Sequence, residues 1–296
     1  MADDRPLIVI AVGAEGTPEY GQQFGQWAER WQGAAKRGGA ETATIGLEEP
    51  GERSDRELLK QHLTKSSEAT SPLWLVLIGH GTYDGKTAKF NLRGDDVTPT
   101  DLSQWLKEVE RPIAIIDCTS CSGPFLAELS GKDRVVVTAT KSGSESNFAR
   151  FGDYLSSAIV DPQADLDKDE QTSLLEAFLV AAAKVREFYA REARLATEHA
   201  LLDDNGDRLG TPADWFQGLR PTKAAKDGAA LDGALARTFV LVPSEREQEL
   251  PDDVRLRRDE LERQLAELRS RKAQLDETGY FAELERILVA LARLSQ

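Results

Sequence analysis

Four short apolar runs constrain this chain more than any other feature. PLIVIAVGA (6–14), SPLWLVLIG (71–79), PIAIID (112–117) and RVVVTAT (134–140) are rich in aliphatic residues and almost free of charge. Runs of this length and composition read as strands buried on both faces, as in a sheet covered by helices. ETATIGL (41–47) reads as a further strand. Helical spacing fills the intervals around 18–36, 54–67 and 98–109, the last opened by a Thr cap with Asp in its first turn. GPFLAEL makes a short helix between the last two runs. The alternation predicts an α/β fold with a mostly parallel sheet and helices on both faces. Helices are also expected near 146–160 and from Ser173 to about Glu198, then an irregular stretch over 200–236 and a last strand at RTFVLVPS (237–244).

The chain then changes character, which divides it into an α/β domain over 1–245 and a tail over 246–296. From Pro251 the tail is charged and free of Gly until Gly279. Leu261, Leu265, Leu268 and Leu275, then Phe281, Leu284, Leu288 and Leu291, recur at helical spacing around a turn at DETG (276–279). That pattern predicts an antiparallel helical hairpin, packed on its own domain or a partner, or mediating self-association.

Charge narrows the range of partners. The formal net charge of −14 repels nucleic-acid backbones and anionic membranes, so neither is an expected partner. No apolar run approaches the roughly 20 residues of a membrane span. The opening MADDRPLIVIAVG lacks the basic head and long apolar stretch of a signal peptide, and is compatible with a mature exported start carrying an added Met.

Chemistry in open α/β sheets collects at the carboxyl ends of strands. Two strand ends here carry reactive side chains. LWLVLIG runs into His80-Gly81, and IAIID runs into Cys118, with Cys121 three residues on; these are the only two cysteines. Two cysteines make no disulfide framework, but an imidazole or a helix N-terminus can stabilise a thiolate. The helix opening at Gly123-Pro124 offers that field, and its free amides suit an oxyanion hole. Alternatively, a cysteine at a strand end is a small buried hydrophobe. The loop GTYDGKTAKFNLRGDD (81–96) is hairpin-like, with Phe90 and Asn91 placed to line a groove. His62 sits in a polar helix.

The paired blocks LWLVLIGHG and IAIIDCTSCSG resemble the caspase, legumain and gingipain superfamily of cysteine peptidases, closest to its bacterial legumain-like branch. The resemblance covers approximately residues 5–200. It implies a caspase-like three-layer α/β/α sandwich, a His80–cysteine dyad, and a peptide or protein as substrate or binding partner. It departs from the family pattern at the nucleophile. Aligned on Ser122-Gly123, the nucleophile position holds Ser120; aligned on the strand end, it falls at Thr119. Cys118 as a displaced nucleophile ranks first, then Cys121, then Ser120 as an inactive replacement. The function implied is a cysteine endopeptidase; the alternative is an inactive member serving as a binding or scaffold module. No G-x-S-x-G elbow or phosphate-binding glycine loop supports a third class.

Two acidic loops suggest Ca²⁺. DLDKDEQTSLLE (165–176) sets Asp165, Asp167, Asp169, Ser173 and Glu176 at the donor positions of an EF-hand-like loop, with Gln171 where a backbone carbonyl serves. Glu170 replaces the usual Gly and must take a positive φ at roughly 1 kcal/mol. The same sequence also suits an acidic helix N-terminus. In DDNGDRLGTPAD (203–214), Asp203, Asn205, Asp207, the Leu209 carbonyl, Thr211 and Asp214 are similarly spaced, and an Asn-Gly turn explains much of that without metal. Glu198 and His199 are expected to buttress this second loop.

Overall fold

The computed structural model describes residues 5–49, 51–65, 69–226, 229–272 and 275–294. In chain order its elements begin with β1 (Leu7–Val12), α1 (Pro18–Arg37), β2 (Glu41–Ile45), α2 (Asp55–Lys65) and β3 (Leu73–Ile78). A small antiparallel hairpin follows, β4 (Gly81–Tyr83) and β5 (Ala88–Phe90). Then come α3 (Pro99–Trp105), β6 (Ile113–Asp117), α4 (Gly123–Leu129), β7 (Arg134–Thr138), α5 (Phe151–Ala158), α6 (Leu174–Arg191), β8 (Leu201–Asp203) and β9 (Thr211–Pro212). The central sheet runs β2-β1-β3-β6-β7-β8-β9. The first five strands are parallel, whereas β8 and β9 return antiparallel.

Alternation along the strands builds two cores. Ile8, Ile10, Trp74, Val76, Ala114 and Ile116 pack against α1, α5 and α6. Val9, Ala11, Leu75, Leu77, Ile115 and Val136 pack against α2, α3 and α4. Each fully buried Val, Leu or Ile contributes about 1.5–3 kcal/mol, so this double burial is what holds the sheet in place. The result is the expected α/β/α sandwich with a mostly parallel sheet. β3 and β6 are direct neighbours, with Leu77 opposite Asp117, so their carboxyl-end loops lie side by side.

Four local expectations need correction. RTFVLVPS is not an edge strand: Phe239 and Leu241 turn into the α1 core, Phe239 against Trp74, and Val240 makes one isolated bridge to Ser173. The segment instead crosses the start of α6, where the Leu174 amide donates to the Phe239 carbonyl at 2.8 Å. β8 and β9, inside the stretch expected to be irregular, extend the sheet in its place. The long helix stops at Arg191, because Ala193 enters the left-handed region at φ 50° and the Arg194 amide closes back on the Tyr189 carbonyl. DETG begins the second tail helix, and the Asp276 carboxylate accepts the Gly279 amide at 2.9 Å.

The tail is a hairpin of α8 (Asp252–Ser270) and α9 (Glu277–Leu294), preceded by the short α7 (Glu245–Glu249). It has its own apolar seam around Leu261, Leu268, Tyr280 and Ile287. Arg258 pairs with Glu247 of α7, and Arg263 reaches Asp133 of the α/β domain at 3.9 Å. Among the described residues, no helix is long and apolar enough to cross a membrane.

Candidate active site

His80 is presented two residues beyond the end of β3, on the side of α1. Its Nε2 lies 3.2 Å from the carbonyl oxygen of Glu15. A carbonyl only accepts, so Nε2 carries the proton, and in the neutral ring Nδ1 is left as the basic nitrogen. Tyr20 and Phe24, one turn apart on α1, meet the imidazole edge-on at 4.7 and 5.1 Å, and Phe148 lies beyond at 6.3 Å. The ring is thus fixed at one nitrogen and framed by aromatic groups.

The turn after β6 distributes its residues by strand alternation. Cys118 continues the face of Ala114 and Ile116 and is buried in the α1–α5 core at 1% exposure. A Cβ added to Gly152 at the start of α5 would lie 2.7 Å from the Cys118 Cβ, so the helix closes directly over it. Burial, followed by the negative charge of Asp117, pushes its thiol well above the ordinary range. Asp117 faces the opposite way. Burial raises its carboxyl to about 7 against the opposing hydrogen bonds from Thr119. Those bonds run from the Thr119 amide at 3.0 Å and its hydroxyl at 2.6 Å, both to Oδ1, while Oδ2 is buried without a partner.

Ser120 is the residue that meets the histidine loop. Its hydroxyl donates to the Gly81 carbonyl at 3.2 Å, and Ser120 Oγ accepts the Gly81 amide at 3.4 Å. A Cβ on Gly81 would stand 2.0 Å from the Ser120 carbonyl oxygen, so only glycine permits this contact. Cys121 is buried and held in the left-handed region at φ 60°, with its amide donating to the Glu145 carbonyl at 2.9 Å. Its thiol is raised by burial and by Asp117, with Ser120 acting in the other direction. Ser122 and Gly123 dock the turn on the end of β7. The Thr140 amide donates to Ser122 Oγ at 3.0 Å, and the Gly123 amide to Thr140 Oγ1 at 3.1 Å.

The structure therefore brings Ser120 to the His80-Gly81 loop and does not bring Cys118 there. Among the described residues, the one hydrogen bond of the His80 ring is to Glu15, and none joins it to either sulfur. Phe90 is fully buried and lines no groove, whereas the Asn91 amide donates to the His80 carbonyl at 3.0 Å. His62 lies on α2, where burial leads its downward pKa shift. His199 pairs through Nδ1 with Glu145 at 2.5 Å, the residue whose carbonyl holds Cys121. Glu198 caps the start of α5 through the Arg150 and Phe151 amides. Glu15, Glu145 and Phe148 had no readable signal, since Glu15 meets His80, and Glu145 meets Cys121, through a backbone carbonyl; Tyr20 and Phe24 were legible only as one face of α1.

In the 165–176 loop, the carboxylates of Asp165, Asp167 and Asp169 converge, with ligand atoms within 4.8 Å of one another. Glu170 takes the positive φ its position demands, 71°. The other expected donors are otherwise engaged. Ser173 and Glu176 form a capping box at the start of α6, and the second Glu176 oxygen accepts the Leu166 amide at 2.7 Å. The Gln171 side-chain oxygen accepts the Ser244 amide. Within the cluster, Asp167 pairs with Arg237 at 2.7 Å. Burial, then repulsion from Asp167 and Glu176, raises Asp169. Three converging carboxylates are hard donors that suit Ca²⁺. In the 203–214 loop, as at Asp165 and Asp169, the oxygens turn to backbone amides. Asp203 accepts from Gly206 and Arg208, Asn205 from Asp207, and Asp207 from Leu209. Thr211 donates to Asp232, and Asp214 lies on a short 3₁₀ turn, Ala213–Trp215.

No family model matches the chain, and no curated protein matches it. Among solved structures, it is similar to the Drosophila initiator caspase Dronc, with 13% identity over 68% of this chain and 80% of that one and a TM-score of 0.45. It is similar to caspase-1 from Spodoptera frugiperda, with 11% identity over 68% and 86% of the two chains and a TM-score of 0.42. It is also similar to Raptor from Chaetomium thermophilum, with 13% identity, 55% of this chain and 18% of that one, at a TM-score of 0.35.

Proposed function

We propose that this chain is a caspase/legumain-like domain without a working thiol dyad, serving as a binding module for a peptide or protein segment at the carboxyl ends of β3 and β6. The observation that carries the proposal is the hydroxyl of Ser120 beside Gly81, with Cys118 enclosed in the core. A thiol kept protonated by burial is a poor nucleophile. A serine hydroxyl needs its proton taken by a base, and that of Ser120 is directed at the Gly81 carbonyl instead.

The test is to restore the missing atom. Ser120→Cys should react with an alkylating thiol probe faster than the native chain, and His80→Ala in that background should remove the gain. Equal rates in the native chain and Ser120→Cys would contradict the assignment of Ser120 to the nucleophile position.

A second reading, an active cysteine endopeptidase, draws on the His80 ring. The Glu15 carbonyl fixes the tautomer that leaves Nδ1 available as a base. That reading requires Cys118 or Cys121 to reach the ring. It predicts turnover of an unbiased peptide library that is lost in His80→Ala.

Calcium belongs to the proposal as a structural ion. Asp165, Asp167 and Asp169 would hold it, and its charge would offset the burial and the repulsion that raise Asp169. The 203–214 loop has no such role in the proposal, because among the described residues the carboxylates that converge are those of Asp165, Asp167 and Asp169.

A further inference from the structure

The two tail helices differ in what they turn outward. The exposed positions of α8 are charged, among them Asp253, Arg257, Arg263, Glu267 and Arg269. On α9, Phe281, Leu288 and Val289 are 50%, 44% and 42% exposed, and Ala282 and Ala292 are exposed beside them. The inner face of α9 already supplies the seam with α8, through Tyr280 and Ile287. A helix that is apolar on two sides is usually covered on both.

The outer face also carries a charge pattern. A shallow groove there is lined by Ala282, Glu285, Arg286, Val289, Ala290 and Arg293. Glu285 stands one helical turn before Val289 and Arg293 one turn after it, and neither has an ion partner among the described residues. Such an arrangement complements itself. If two α9 helices run antiparallel about a two-fold axis at Val289, each Glu285 falls opposite the Arg293 of the other copy, on both sides of an apolar centre.

We propose that two copies of this chain associate through the outer faces of their α9 helices in this register, joining the two hairpins into a four-helix bundle. The partner is a second copy, since the face complements its own reverse. Valine and leucine supply the buried area, and the two reciprocal ion pairs set the direction and register.

The experiment measures the mass of the full chain in solution against concentration. A dimer is expected at micromolar concentration. Leu288→Glu should weaken it by at least about tenfold, by placing a charge in an apolar contact. Glu285→Arg and Arg293→Glu should each weaken it by bringing like charges together, while the double variant should recover most of the native affinity. These positions are exposed, so folding is checked by an unchanged thermal transition of the dilute protein. A monomer at every concentration up to about 100 µM would overturn the proposal. So would a dimer indifferent to Leu288→Glu, or a double swap no better than the weaker single variant.

Discussion

The hydroxyl of Ser120 lies 3.2 Å from the carbonyl oxygen of Gly81, the residue that directly follows His80. This contact joins the loop after β3 to the turn after β6, and on the proposed reading it holds a hydroxyl at the position of the dyad's thiol. Strand alternation gives the cause. Cys118 follows the inward phase of Ala114 and Ile116, and it is the next two residues, Thr119 and Ser120, that reach the histidine loop.

The close approach at Gly81 should be intolerant of any side chain. Gly81→Ala sets a Cβ 2.0 Å from the Ser120 carbonyl oxygen, which is backbone and cannot swing aside. The variant is expected to lose about 1–3 kcal/mol, read from its urea midpoint. A native-like midpoint would show that the two loops separate at no cost.

Cys118 should behave as a core residue. Cys118→Ala, which deletes one buried sulfur, is expected to cost about 1 kcal/mol, and Cys118→Ser more, about 1–3 kcal/mol, because its hydroxyl enters an apolar site. A serine variant as stable as the alanine one would mean that the side chain reaches a polar partner.

Much of this arrangement was readable from residue order. The four apolar runs identified the central strands because each is buried on both faces, and His-Gly at the end of β3 located the histidine loop. The Ser122-Gly123 alignment offered Ser120, which bonds to Gly81, but the sequence ranked Cys118 and Cys121 above it because a thiol is the better nucleophile. What stayed hidden depends on backbone atoms or on side chains distant in sequence. The Glu15 carbonyl that fixes His80 has no side-chain signature. The Ser173–Glu176 capping box and an EF-hand-like donor pair share one spacing, so sequence could not separate them. RTFVLVPS looked like a strand because its apolar residues are real core residues, but they bury by crossing α6 rather than by pairing.

Acidity should stabilise the fold. Burial raises Asp117 to about 7 from an ordinary 3.8, so between those values the folded chain keeps a proton that the unfolded chain has released. Stability from this group is therefore present below about pH 4 and lost as pH rises through about 7. Asp204 and Asp232 are raised by burial and, for Asp232, repulsion from Asp204, and act in the same direction. The melting temperature is expected to fall between about pH 5 and pH 8, and Asp117→Asn to flatten part of that slope. A melting temperature that rises across this interval would contradict the burial argument.

Calcium should raise the melting temperature, and Asp165→Ala should remove most of the gain. At a free concentration about 100-fold above the dissociation constant, one site would add about 2.7 kcal/mol. An identical melting curve with calcium and with chelator would exclude the ion.

The most direct measurement of the central claim is the alkylation rate of each cysteine in the native folded chain, followed by mass spectrometry. Both Cys118 and Cys121 are expected to label no faster than a free thiol, with rates unchanged in His80→Ala. Rapid, saturable modification of Cys118 that disappears in His80→Ala would contradict the account and establish a working dyad.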